Sequence, residues 1–248
     1  MIPNPIRKVL SSMRERGVRS LLMGGQACVF YGAAEFSRDT DFAILADSAN
    51  LERLRRALED LQAGCVAVPP FESKYLRRGH AIHFRCLHPE AFRMRVDVMS
   101  KMRGVDSFGK LWRRRTTIEL ADKTVCDLIS LPDLVKAKKT RRDKDWPMIR
   151  RLVEAHYFEN FEKPNSSQIK FWATELRTAS LLIRLASNHT ALVKKHASRR
   201  PLLAHALSGR ANKLEHALAS EETIERKKDE RYWMPLLKEL EKLRHPKC

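Results

Sequence analysis

The sequence predicts an α+β protein, with a mixed sheet flanked by helices in its N-terminal part and an all-α C-terminal domain behind it. Three observations predict this. Short apolar and alternating runs are interleaved with helical periodicity up to about residue 130, whereas beyond it the apolar positions recur only at helical spacing. A hydrophobic content of 43% with ten Phe and four Trp suits a folded core rather than a disordered chain. The 248 residues are enough for two cores, and the change of periodicity places them. The expected organisation is an α/β domain over residues 1–130, basic connecting helices over 131–163, and a helical domain over 164–248.

Taken in order, residues 3–17 carry Ile6, Val9, Leu10 and Met13 at helical spacing, with Gly17 as a stop. Leu21, Leu22 and Met23 form a short apolar strand. Gly24 and Gly25 make a turn, residues 26–31 a helical run stopped by Gly32, and the next strand carries Asp39 and Asp41. Asp47-Ser48 is an N-cap for a helix built on Leu51, Leu54, Leu58 and Leu61, which ends at Gly64. Residues 65–68 read as a short strand closed by Pro69-Pro70, and the polar, basic residues 71–80 as a loop or an edge. Residues 81–87 and 92–99 alternate as half-buried strands do, with His88-Pro89-Glu90 turning between them. Asp97 then faces away from Val96 and Val98, and Arg93 and Arg95 share its face.

Residues 111–115 are a Trp-bearing basic segment, followed by strands over 117–120 and 123–129. Leu131-Pro132-Asp133 starts a helix that runs through LVKAKKTRRDKDWPMIRRLVEAHYF, and Pro147 is expected to kink or divide it. Residues 161–167 (FEKPNSS) read as a linker. Helices are expected over 169–189, over 192–207 with a break at Pro201, over 209–225 and over 232–244. The chain has no internal repeat and no low-complexity tract.

Five cysteines (Cys28, Cys65, Cys86, Cys126 and Cys248) are odd in number and scattered, with no CxxC pair. They predict reduced thiols rather than a disulfide frame or a zinc site. No apolar run approaches the roughly 20 residues of a membrane helix. The residues after Arg7 and Lys8 are broken by polar side chains, so no secretory signal is read; a cytoplasmic protein without a membrane partner is expected. A net charge of +18 and a pI near 10 predict attraction to polyanions, nucleic acid first among them. The competing reading is a solvated basic surface.

The chemistry concentrates between Leu21 and Leu45. A Gly-Gly turn lets backbone N–H groups approach an anion at a helix start, and acids at alternate strand positions share a face on which a divalent cation can be held. Singly, Asp39 and Asp41 read as solvated acids, Gly24-Gly25 as a tight turn, and Asp97 as a strand residue paired with Arg93 or Arg95. Their conjunction is what points to a site.

An apolar strand, Gly24-Gly25, a short helix, then Arg38-Asp39-Thr40-Asp41 on a strand and Asp97 on a later one resembles the DNA polymerase beta type nucleotidyltransferase superfamily. Within it the chain is most similar to the bacterial minimal nucleotidyltransferases and the AbiEii-like toxin group, over roughly residues 18–146. The resemblance implies a nucleotidyltransferase-like fold for the first domain and transfer of a nucleoside monophosphate from an NTP to an acceptor, with two Mg2+ ions as cofactors. It implies that Gly24 and Gly25, with Arg38 and Thr40, bind the nucleotide. It makes Asp41 the first metal carboxylate and Asp97 the third; the second is expected at position 43, which is Ala43. Either Asp39, two residues before Asp41 on the same strand face, takes that place, or the site is degenerate.

The same group often shows a helix with Lys followed by Arg-x-Lys-Asp, matched by Lys138, Arg142, Lys144 and Asp145. These cations would neutralise triphosphate charge, with Asp145 orienting one of them; a solvated basic helix face is the alternative. The charge favours RNA, tRNA included, as acceptor. The degenerate reading is instead a nucleotide- or nucleic-acid-binding regulator, antitoxin-like, with a toxin–antitoxin partner protein. His205 and His216 follow Arg200 and Arg210 at spacings resembling the Arg-x(4–6)-His motif of helical ribonuclease toxins, a pattern that 48 basic residues and nine His also produce by chance. His80 and His83 are candidates to line the site. Trp112 with Arg113, Arg114 and Arg115, and Trp233 with Tyr232 and Arg231, combine stacking surface and charge as RNA sites do; a helical core accounts equally well for Trp233.

Overall fold

A computed structural model describes residues 4–120 and 123–245. Cys248 and Pro3, which figure in the readings above, lie outside the described residues. Helix α1 (Asn4–Glu15) buries Ile6, Val9, Leu10 and Met13, and Gly17 turns the chain out of it at φ +62°. Strand β1 (Ser20–Met23) runs straight into α2 (Gly24–Phe30), so Gly24 and Gly25 form the first turn of the helix rather than a loop before it. Strand β2 (Asp39–Ile44) leads to α3 (Ser48–Asp60), where the Asp47 carboxylate accepts the Asn50 N–H at 2.7 Å as an N-cap.

Strand β3 is reduced to Gly64–Cys65. The segment expected as a loop over 71–80 contains a helix instead, α4 (Ser73–Arg78). Its basic residues hid a pair of core contacts, since Tyr75 and Leu76 are buried, and Gly79 closes the helix in the left-handed conformation. Strand β4 (Ile82–Arg85), a turn of 3-10 helix at Pro89–Ala91, and β5 (Arg95–Met99) make the expected hairpin. Arg93 sits outside the strand with φ +62°, so it does not share the face of Asp97 as a strand residue. Helix α5 (Phe108–Arg113), β6 (Thr116–Glu119), β7 (Val125–Leu128) and α6 (Leu131–Ala137) follow.

The strands form an open mixed sheet in the order β3-β4-β5-β2-β1-β7-β6. β2 pairs parallel to β5 and β1 parallel to β7, while β1–β2, β3–β4, β4–β5 and β6–β7 are antiparallel. Leu21, Leu22, Phe42, Ala43, Ile44, Val96 and Val98 bury the middle of the sheet.

The helical region consists of α7 (Asp145–Asn160), α8 (Ser166–Glu175), α9 (Ala179–Asn188), α10 (Thr190–His196), α11 (Leu203–Leu207) and α12 (Ala211–Arg244). Pro147 neither kinks nor divides a helix: it falls in the first turn of α7, where its missing N–H leaves no bond unmade. The helical run breaks earlier, over residues 138–144. The expected helix over 169–189 is two, α8 and α9. The expected pair over 209–225 and 232–244 is the single 34-residue α12 with Pro235 inside it, because the charged residues between are good helix formers.

By compactness the chain falls into two units, one comprising Met1–Phe30, Ala34–Ala137 and Tyr232–Cys248, the other Tyr31–Ala33 and Lys138–Arg231. The second unit packs Trp146, Ile149, Leu152, Tyr157, Ile169, Trp172, Leu182, Leu185 and Leu203 into its own core. Asn165 and Gln168 form a reciprocal capping box at the start of α8. Among the described residues Cys28, Cys86 and Cys126 are buried thiols and Cys65 an exposed one. No helix is long and apolar enough to cross a membrane among the described residues.

Candidate functional site

Strand alternation and register assemble the site in the first unit. Asp41 on β2 is aligned with Met23 on β1 and with Asp97 on β5, and Asp97 in turn with His83 on β4. One row along the strands, Asp39 is aligned with Arg95, and Arg95 with Arg85. Side chains directly opposite one another on neighbouring strands share a face, so Asp39, Asp41 and Asp97 project from the same side of the sheet, neighbouring strands being about 4.8 Å apart.

Arg95 holds this set together. Its Nε donates to Asp97 Oδ1 at 2.8 Å, and the Asp97 side chain is only 14% exposed. The hydrogen bond to Asp97, then the charges of Asp97, Asp39 and Asp41, push the guanidinium pKa up against the effect of burial. All three carboxylates therefore act on one cation. His83 Nδ1 lies 2.8 Å from Asp97 Oδ1 and 2.9 Å from Arg95 Nη2. A single ring nitrogen serves one of these at a time: protonated it donates to Asp97, unprotonated it accepts from Arg95.

The two glycines are required by what leans on them. Gly24 has φ +66°, and a Cβ there would lie 1.9 Å from Asp41 Oδ2. A Cβ on Gly25 would lie 2.6 Å from Ser37 Oγ. Only hydrogen at these positions lets Asp41 and Ser37 fold over the start of α2. Ser37 is a contact the sequence reading missed; its place two residues before Asp39 was the available signal.

Other expected residues are placed differently. Thr40 is fully buried and donates to the Arg95 carbonyl at 3.0 Å, so its hydroxyl ties β2 to β5 and is withdrawn from any nucleotide. Arg38 is exposed beside the acids in sequence. Ala43 is 1% exposed and aligned with Leu21, one row deeper than Met23 and Asp41. A carboxylate at 43 would lie in the apolar middle of the sheet, away from the glycine turn. On the half-buried first part of β2 the acid pair is Asp39 and Asp41. His83 joins the row, whereas His80 does not: it is 1% exposed and its Nε2 meets Glu239 Oε2 at 2.9 Å on the last turns of α12.

Asp39, Asp41 and Asp97 are hard oxygen donors of the kind Mg2+ takes, on adjacent aligned strands. Yet among the described residues no group of three or more His, Cys, Asp or Glu side chains stands arranged as a metal site. The donors fit such an ion in kind and register, but Asp97 is already committed to Arg95 and His83, so loading requires Arg95 to yield.

The basic segment 138–144 lies in the second unit and is not the expected helix but a loop leading into α7, which opens with Asp145. Its centre is Asp145, with a side chain 2% exposed. Lys138 Nζ donates to it at 3.2 Å, Arg142 Nε at 2.8 Å and Thr140 Oγ1 at 2.5 Å. Burial alone would raise its pKa; Lys138, Thr140 and Arg142 outweigh that and hold the carboxyl below its ordinary range. Asp145 pairs with both Lys138 and Arg142, while Lys144 is exposed. Arg200 is 5% exposed, donates to the carbonyls of Ala173 and Leu176 at the end of α8 and pairs with Glu221, a capping role unrelated to any Arg–His motif. The Trp112 ring carries the Arg115 guanidinium at 4.2 Å and that of Arg19 at 5.6 Å.

No family model and no curated protein matches the chain.

Proposed function

We propose that the chain is a nucleotidyltransferase of the DNA polymerase beta type, moving a nucleoside monophosphate from an NTP to an acceptor, with RNA, tRNA included, as the acceptor class. The observation that carries this reading is the row of Asp39, Asp41 and Asp97 on one sheet face at the end of the β1–Gly24-Gly25–α2 turn. Asp39 and Asp41 supply the strand pair and Asp97 the third acid, so the buried Ala43 removes nothing from these half-buried acids. These three would hold Mg2+, which when bound supplies positive charge to the reacting phosphate. Arg95, displaced from Asp97, would then offer its guanidinium to phosphate oxygens, and His83 would keep Asp97 oriented through its Nδ1–H. The exposed Arg38 and the +18 charge favour a polyanionic acceptor.

The Arg95–Asp97 ion pair supports a second reading, in which the cluster is permanently neutralised and the protein is a nucleotide- or nucleic-acid-binding regulator of antitoxin type. Incubation with labelled NTPs, Mg2+ and bulk tRNA separates the two. The transferase reading expects label on RNA and a loss of about 100-fold or more in Asp41→Asn, beyond the 10–100-fold typical of residues that merely support a metal ligand. No transfer with any NTP, together with salt-sensitive tRNA binding indifferent to Mg2+, would leave the regulator.

A further inference from the structure

A cavity of about 250 Å3 lies within the first unit on the sheet face opposite the carboxylates. Phe42, which lines it, alternates with Asp41 along β2 and so points to the other side. Leu10, Met13 and Val18 make its floor with Phe42, and Cys126 adds a thiol whose pKa burial pushes up to about 12, which leaves it uncharged. Trp112 makes an aromatic wall.

The charge at the rim is unbalanced. Asp127 is the carboxylate of the lining, and it is already satisfied by Arg115 Nε at 2.8 Å and Thr117 Oγ1 at 2.6 Å. Arg14 reaches no acid among the described residues, only the Lys123 carbonyl at 3.5 Å, and the Arg19 guanidinium meets only the Trp112 ring. The backbone at Arg19 is pinned: buried Asn50 accepts its N–H at 2.7 Å and donates to its carbonyl at 3.1 Å. Two guanidiniums without a carboxylate partner among the described residues, held at the mouth of an apolar, aromatic-walled cavity, match the charge of a phosphate monoester, about −1.5 to −2 at neutral pH. The volume exceeds what bare phosphate needs, and the indole and guanidinium surfaces suit a flat ring.

We propose that this cavity binds a nucleoside monophosphate unit, its phosphate on Arg14 and Arg19 and its base on the Trp112 ring in the place that Arg19 gives up when it turns to the phosphate, as a second nucleotide site separate from the carboxylate row. The unit comes either as a free mononucleotide or as the end of an RNA strand. Calorimetric titration in EDTA, which silences any metal-dependent site, tests this with the four 5′-mononucleotides, the matching nucleosides, inorganic phosphate and a 5′-phosphorylated pentaribonucleotide. At least one mononucleotide should bind in the submillimolar range, with its nucleoside and phosphate alone each about tenfold weaker or worse. Arg14→Met/Arg19→Met should weaken binding by about tenfold or more, Trp112→Leu should do so while keeping the salt dependence, and Asp41→Asn should leave it unchanged. Competition by the pentaribonucleotide marks an RNA end as the source, and its failure to compete marks free nucleotide. The proposal is overturned by absence of mononucleotide binding at millimolar concentration, by binding indifferent to the double arginine variant, or by binding lost in Asp41→Asn alone.

Discussion

The half-buried Asp97 and the buried Asp145 are both acids beside arginine, and they sit in opposite circumstances. In the first unit, Asp97 pairs with the Arg95 guanidinium, on which the charges of Asp39 and Asp41 also act, so one cation answers to several acids. In the second unit, Asp145 is a single carboxylate shared by two cations, Lys138 and Arg142, and by the Thr140 hydroxyl, so each of its oxygens is satisfied and positive charge outnumbers negative. A cation shared among several acids is an arrangement that can exchange partners; a buried acid with both oxygens hydrogen-bonded is an arrangement that holds a loop. A run of basic residues and a row of acids thus acquire opposite meanings from their counter-charges.

The largest effect expected from breaking this contrast comes at the core of the acid strand. Ala43→Asp places a carboxylate where Ala43 is 1% exposed, and should cost about 3 kcal/mol or more in denaturant unfolding, with no gain of label transfer. A stable variant with raised transfer would mean that the strand shifts register to use position 43.

Next is the buried acid. Asp145→Ala leaves Lys138 without its partner and should lower the stability of the second unit by about 3 kcal/mol, followed by the fluorescence of its buried Trp146 and Trp172. The pH dependence has a definite sign. The folded-state pKa of Asp145 lies below its ordinary value of about 3.9, so its contribution is complete above that value and is lost as pH falls through the folded pKa. Acid unfolding of the second unit below about pH 4 should therefore flatten in Asp145→Asn. An unchanged acid slope would assign the loss to other carboxylates.

The smallest and most discriminating change is Arg95→Gln. Removing the resident cation while keeping a hydrogen-bonding side chain should tighten Mn2+ binding by about tenfold, read by electron paramagnetic resonance of the free ion, and enlarge the thermal shift produced by Mg2+. Equal metal response in both proteins would make the Arg95–Asp97 pair purely structural.

Much of this was legible in the residues. Local periodicity foretold the mixed sheet, the helix capped by Asp47, the hairpin carrying Asp97 and the helical C-terminal region. Period-two alternation also placed Asp39 and Asp41 on one face and set Arg95 beside Asp97, because those relations span two residues and need no tertiary partner. Helix α4 escaped because two buried residues inside a basic segment give no period, and the break before α7 escaped because its cause, the closure of three side chains on Asp145, is not a propensity. Pro147 was misleading for a related reason: its effect depends on whether it falls within a helix or in its first turn.

What only the tertiary structure decided is which residues meet. Alignment of Asp41 with Asp97 arises from the parallel pairing of β2 with β5, two strands separated in sequence by two helices and two further strands. That pairing also buries Thr40 and Ala43, centres Arg95 among three acids, and leaves Arg14 and Arg19 facing a cavity on the other side. Strand register depends on long-range packing, and a shift of one residue would exchange the two faces of β2. By itself the sequence determined the inventory of charged groups and their local faces; the fold determined their partners, and with them whether a charge is balanced or available.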